Sequence, residues 1–364
     1  MCHQFLSKQF LKSNRHHIMN DQELSNLTLH ELDDQGFCVG TDLLTYLRSE
    51  LPDKKIAYEI APRPLVGGND SRIYHYKLQG KQPRVLRILR PNREAGELLY
   101  LQSVYQTLSH HGMNVPLIHR VCEDKSVLGG CFAVMDLLPG KTLSVQEPEV
   151  QAQVLGESMA NMHDKEVMSI VDELRESGIP DQHFLSPDLL KNWLDSLEKN
   201  YPWTSEHVGW LRERLPLSSG ELSIVHGDYH PGNLIFEEGL VTGVLDWGFC
   251  VADPAMDLAH ITNLCLLFMH HFFKDIPLEF CEQYLEKIFN AYSQIRPVNH
   301  DRIHVFRVLE LLRLLCFADK IPEQLQSSEA QQGYVAFIED ATGLPLMFDS
   351  SPESISTLSS GGLL

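Results

Sequence analysis

One stretch constrains this chain more than any other: "VHGDYHPGNLIFEEGLVTGVLDWGFCVADPAMDLAH", residues 225–260. It places His226, Asp228, His230, Asn233, Asp246, Asp253, Asp257 and His260 within 36 positions. Buried polar groups need partners, and buried charges need them more. So dense a set implies a bound ligand or a loop folded around its own side chains. Pro231-Gly232 forces a turn after Asp228. The apolar arms 234–236 and 241–245, joined through "EEG", read as a β-hairpin.

In a simple hairpin centred on that turn, positions 233 and 246 stand opposite each other, with Cβ atoms about 5 Å apart. Asn233 and Asp246 then offer two oxygen ligands to one cation. Such oxygens suit Mg²⁺, which takes few protein ligands and fills its shell with phosphates and water. Asp228, five residues before Asn233, can face the far side of that cation, where a substrate hydroxyl would arrive. A carboxylate orienting a hydroxyl beside two Mg²⁺ ligands is the layout that phosphoryl transfer calls for. A competing reading takes His226, Asp228 and His230 as half of a metallohydrolase site. It needs further His or Asp ligands from other loops, and it leaves Pro231-Gly232-Asn233 without a role.

The rest of the chain divides by pattern. Residues 41–50 read as a short helix capped by Thr41 or Asp42. "RIYHYKL" (72–78) alternates and "RVLRIL" (84–89) returns, which reads as a hairpin over 72–89, preceded by the turn "VGGND" (66–70). "NREAGELLYLQSVYQTLSHHG" (92–112) carries a helical stripe of Leu98, Leu101, Tyr105 and Leu108 and stops at Gly112. "CFAVMDLLPG" (131–140) reads as a strand ending at Pro139-Gly140. From about 148 onward the periodicity is mainly helical. The expected organisation is an extension over 1–40, a sheet-rich lobe over 41–138, a helical lobe over 139–348 and a Ser/Gly-rich, disordered tail over 349–364. A cleft between two such lobes is where a ligand is expected.

Composition narrows the function. A net charge of −19 argues against nucleic acid as a partner, because phosphate neutralisation needs Lys and Arg. No apolar run reaches the ~20 residues of a membrane helix, so no membrane partner is expected. The first twenty residues lack the long apolar segment of a secretory signal. None of the eight cysteines forms a C-x-x-C pair; they read as reduced residues of a cytoplasmic protein.

"HGDYHPGN", "GVLDWG" and "DPAMDLAH" together resemble the aminoglycoside phosphotransferase/choline kinase-like family, the small-molecule branch of the protein-kinase-like fold. The resemblance implies an α+β, two-lobed architecture with a small antiparallel-sheet N-lobe and a larger helical C-lobe. It implies an ATP- or GTP-dependent phosphotransferase acting on a hydroxyl of a small molecule. Asp228 is then the catalytic base or hydroxyl-orienting residue, and Asn233 and Asp246 bind Mg²⁺. Asp257 steadies the catalytic loop, with His226 as a loop anchor, His230 shaping the loop and His163 packing beneath it. In the N-lobe the resemblance implies nucleotide contacts from Arg87, from Gly67, Gly68, Asn69 and Ser71 in place of a G-x-G-x-x-G loop, and from the backbone at Met135 to Leu137. Glu97 is the first choice for the acid that pairs with Arg87, Glu94 the second, and one alignment puts Gln102 there. A nucleotide-binding module with little catalysis is the alternative. Protein phosphorylation is a third reading, weakened by the lack of a D-F-G to A-P-E segment.

Overall fold

The computed structural model describes residues 36–65, 71–215, 221–273, 276–317 and 323–346. Chain order begins with helix α1 (Val39–Glu50), strands β1 (Tyr58–Pro64), β2 (Ser71–Leu78) and β3 (Arg84–Leu89), and helix α2 (Gly96–His110). Strands β4 (Ile118–Cys122), β5 (Phe132–Asp136) and β6 (Lys141–Thr142) follow. Helices α3 (Pro148–His163), α4 (Met168–Glu176), α5 (Asp188–Asn200) and α6 (Ser205–Arg214) come next. Strands β7 (Ser223–Val225), β8 (Leu234–Glu237), β9 (Leu240–Val244) and β10 (Cys250–Ala252) carry the chain to helix α7 (Ala255–Asn263). That helix runs through a π-helical turn, Leu264–Phe268, into α8 (Met269–Phe272), and α9 (Leu278–Ser293), α10 (His300–Cys316) and α11 (Ser328–Thr342) complete the order.

Two compact units result: Met1–Val145 with Gly232–Leu245, and Gln146–Pro231 with Asp246–Leu364. In the first, an antiparallel sheet runs β1-β2-β3-β5-β4. Alternation along its strands sends Tyr76, Leu78, Leu86, Ile88, Phe132 and Val134 to one face, where Val39, Leu43 and Leu47 of α1 cover them. Arg87 therefore points to the opposite face. Helix α1 starts two residues before the expected cap. Its N-cap position is Cys38, with no side-chain cap, and Asp42 instead lies in the first turn, where the helix dipole favours an acid. Helix α2 is shorter than its 92–112 pattern because the chain turns until Ala95, while Gly112 at φ +75° ends it.

The hairpin β8–β9 groups with the first unit, not with the helical region 139–348 in which the sequence placed it. Its strand β8 pairs with β6, and Val244 N–H donates to the Asn114 carbonyl at 2.8 Å. The hairpin register also differs from the simple symmetric one. The turn is the two residues Glu238-Gly239, both at positive φ (51° and 88°), as a type I′ turn requires. An irregularity between Ile235 and Phe236 then shifts the ladder, so that Leu234 pairs with Val244. Leu245 N–H donates to the Asn233 carbonyl at 2.8 Å. The residue opposite Asn233 is thus Leu245, and Asp246 is the next one along.

The second unit is mainly helical. Helix α3 packs on α9 at Gly156, where an added Cβ would lie 2.4 Å from the Ile288 carbonyl oxygen. The short pair β7–β10 is covered by Leu189 and Trp193 of α5. Strand β7 leads into the loop that carries Asp228, and β10 follows the segment that carries Asp246.

Candidate active site

The loop after β7 is held from beneath by Asp257, in the first turns of α7. The Asp257 carboxylate is fully buried and accepts the backbone N–H of His226 at 2.8 Å and of Gly227 at 2.7 Å. His163 Nε2 lies 3.1 Å from the same carboxylate, and His163 Nδ1 meets the Tyr292 hydroxyl at 2.9 Å. Burial alone would raise the Asp257 pKa. The His163 contact, with His226 and the loop amides, outweighs burial and holds it below the usual carboxylate value. Gly227 sits at φ +85°, and an added Cβ would come within 3.2 Å of the Gly248 carbonyl oxygen. Close approach is needed because Gly248 N–H donates to the His226 carbonyl at 2.9 Å, tying the two motif segments together.

His226 is wholly buried between Tyr229 and Trp247, and its Nδ1 accepts the Asp228 N–H at 3.1 Å. These contacts orient it as a loop anchor. Among the described residues, no group of three or more His, Cys, Asp or Glu side chains is placed to hold a metal ion. Asp228 itself is half exposed, with its carboxylate 3.6 Å from His230 Nε2 and 3.1 Å from His260 Nε2. Burial pushes its pKa up, but the two imidazoles outweigh that and hold the carboxyl well below its ordinary range. A strongly ionised carboxylate accepts a hydrogen bond from a hydroxyl without being protonated first.

Asn233 ends the loop as a buried side chain of the first unit. Asp246 opens the "DWG" segment of the second unit as an exposed residue at φ +51°. A non-glycine residue in that left-handed region costs free energy and is held there by its surroundings. The sequence carries no sign of this conformation.

In the first unit, Arg87 Nε donates to Ser71 Oγ at 3.2 Å, and its guanidinium lies 3.9 Å from the Glu97 carboxylate. Glu97 is more closely engaged by Arg93, at 2.5 Å. The other two acids or amides in question face elsewhere: Glu94 pairs with Lys125 at 2.6 Å, and Gln102 donates to the Ile118 carbonyl at 3.0 Å. Gly67, Gly68 and Asn69 lie outside the described residues. Met135 is buried in β5 between Val85 and Ile118, and Leu137 is exposed just beyond that strand.

His260 and Glu310 enter the site without having been singled out by sequence. His260 stood only among the polar residues of the opening stretch, three positions after Asp257. Glu310 lies 50 residues further on and has no local signature at all.

Among the described residues, no helix is long and apolar enough to cross a membrane. The chain is 28% identical over 159 residues to acyl-CoA dehydrogenase family member 11 of Mus musculus, covering 40% of this chain and 20% of that protein. It spans only 20–26% of the length of the first curated relatives it matches. Its fold matches a macrolide 2'-phosphotransferase type I with a TM-score of 0.53 at 17% identity, covering 82% of this chain and 96% of that one. It also matches an amicoumacin kinase solved with AMP-PNP, Ca²⁺ and its ligand, with a TM-score of 0.53 at 16% identity, covering 91% and 99%. These likenesses establish the α+β protein-kinase-like fold. The description of the phosphotransferase enzyme family (APH) matches residues 62–298, more than half of the chain, and the chain belongs to that family.

Proposed function

We propose that this chain transfers the γ-phosphoryl group of ATP or GTP to a hydroxyl of a small molecule. The observation that carries the reading is the braced loop: Asp257 fixes two of its amides while the ionised Asp228 carboxylate stays half exposed. In this reading Asp228 accepts a hydrogen bond from the acceptor hydroxyl and orients its oxygen for in-line attack. The acceptor oxygen bonds to the γ-phosphorus, the bond from that phosphorus to the β,γ-bridging oxygen breaks, and the nucleoside diphosphate and the hydroxyl proton leave.

Asn233 and Asp246 would hold Mg²⁺. The donor set fits, since an amide oxygen and a carboxylate are hard oxygen ligands and no sulfur or imidazole competes in either. When bound, the ion supplies charge neutralisation on the β- and γ-phosphates. Arg87 would hold phosphate oxygens, supported by Ser71 and Glu97, with Gly67, Gly68 and Asn69 covering the phosphates. The backbone from Met135 to Leu137 would meet the nucleotide base. The solved amicoumacin kinase, with its bound AMP-PNP and Ca²⁺, supports a nucleotide and a divalent cation as ligands of this fold.

Thermal denaturation with and without Mg·ATP and Mg·GTP tests the reading. Binding to the folded state raises Tm by an amount that follows RT ln(1 + [L]/Kd). Wild type should show a Mg²⁺-dependent rise that Asp246→Asn loses. No rise with either nucleotide would sink the proposal. A second reading, a nucleotide-binding module with weak catalysis, draws on the 3.9 Å Arg87–Glu97 separation, with Glu97 held more closely by Arg93. It predicts the same Tm rise without phosphate release.

A further inference from the structure

Asp228 is the near end of a polar chain that crosses from α7 to α10. His260 lies with Nε2 3.1 Å from Asp228 Oδ1 and Nδ1 2.6 Å from Glu310 Oε1. The Nε2–H makes no aligned hydrogen bond to Asp228, so that contact is one of charge. The second oxygen of Glu310 accepts Asn263 Nδ2 at 2.6 Å. Asn263 Oδ1 in turn accepts Arg307 Nε at 2.8 Å, and the Arg307 guanidinium stacks 3.9 Å from the Phe337 ring centre.

The spacing is helical on both sides. Asp257, His260 and Asn263 are three apart on α7, and Arg307 and Glu310 are three apart on α10, so the rungs face each other across one helix pair. Asn263 is also the last residue before the π-helical turn. Such turns interrupt regular hydrogen bonding and concentrate at functional sites.

An imidazole set between two carboxylates serves both only when both ring nitrogens carry protons. We propose that His260, as an imidazolium anchored by Glu310, is a positioning residue for Asp228: it sets the carboxylate's orientation and keeps it ionised for the acceptor hydroxyl. This rests on the reading of Asp228 as the hydroxyl-orienting group. The groups that bear on the ring's charge are Asp228 from the loop and Glu310 from α10; His230 faces Asp228 in turn, and Arg307 and Arg313 of α10 act on Glu310. Burial disfavours the charged ring, but Glu310 and Asp228 outweigh it and place its pKa well above the ordinary histidine value.

The test uses the full chain and three samples: wild type, Glu310→Gln and His260→Gln. With Mg·ATP as donor and water as acceptor, single-turnover phosphate release reads the chemical step. Water's oxygen bonds to the γ-phosphorus, ADP leaves and a proton passes to the medium. Both variants should keep the Mg·ATP Tm rise and lose about tenfold to a hundredfold in rate, the scale expected for a displaced catalytic group. Glu310→Gln should also acquire a fall in rate as pH rises between about 6 and 8, where an unanchored histidine loses its proton. ¹⁵N spectra of the histidine rings, with the His260 signal assigned by its loss in His260→Gln, read the proton count without any acceptor. Both nitrogens of His260 should be protonated at neutral pH in wild type, and one should not be in Glu310→Gln. A neutral His260 in wild type, or unchanged rates in both variants, would overturn the proposal. Absence of the Tm rise in wild type would instead overturn the kinase reading, so the two failures are distinguishable.

Discussion

Two aspartates serve one loop, and their surroundings separate their uses. Asp257 is saturated by fixed donors in a site closed to water, so it holds structure. Asp228 keeps about half of its side chain exposed, so it remains open to a substrate hydroxyl. Asp228→Asn should retain the Mg·ATP Tm rise while phosphoryl transfer drops by about 10²–10⁴, the range for a positioned acid–base group; full transfer in that variant would remove Asp228 from the mechanism. Asp257→Asn removes a buried carboxylate partnered by His163 and two loop amides, and turns an NH₂ toward those amides. It should cost about 3–5 kcal/mol by urea denaturation, and near-native stability would mean that the loop is not braced there. Asp228, Asn233 and Asp246 were legible because their motif is local. His260 and Glu310 were not, since their contact spans 50 positions and neither residue type is unusual where it stands.

At the scale of elements, glycine shows how packing decides what propensity cannot. Gly156 and Gly209 both lie within helices, so helix propensity alone favours Ala at each. Gly156 faces α9, where a Cβ would lie 2.8 Å from Ala291 Cβ as well as against the Ile288 carbonyl. Gly156→Ala should therefore destabilise by about 1–3 kcal/mol, the usual range for overpacking. Gly209 is exposed with no atom within 4 Å of its missing Cβ, so Gly209→Ala should stabilise by about 0.5–1 kcal/mol. Opposite signs in Tm for one and the same substitution would check the α3–α9 contact. The β8–β9 hairpin makes a related point. Its two arms were readable from alternation and turn residues, but its register was not. A positive φ at Glu238 and a ladder irregularity at Ile235 together move Asn233 opposite Leu245.

Across the whole molecule, the acid limb of stability should show two stages with separate causes. His207 is buried, and neither ring nitrogen has a hydrogen-bond partner among the described residues. Burial lowers its pKa below 6.5, and the nearby Leu344 backbone and acids only partly offset this. The unfolded chain then binds a proton that the folded chain resists, so this contribution is intact above about pH 6.5 and fades as pH falls below it. His207→Phe should flatten the Tm profile in that first window. Asp257, depressed below 3.8, contributes stability that is intact above that value and is lost only as pH falls toward its lower folded value. A single acid transition unaffected by His207→Phe would refute the first stage. The sequence by itself determined the element types, the sheet-then-helix order and the motif residues, because periodicity, turn chemistry and short spacings act over a few neighbours. Only the tertiary structure decided that the 232–245 hairpin joins the first unit, that Asp246 takes a left-handed backbone, and that Glu310 reaches His260. Those outcomes depend on which distant surfaces pack together, and packing leaves no mark on the spacing of residues along a chain.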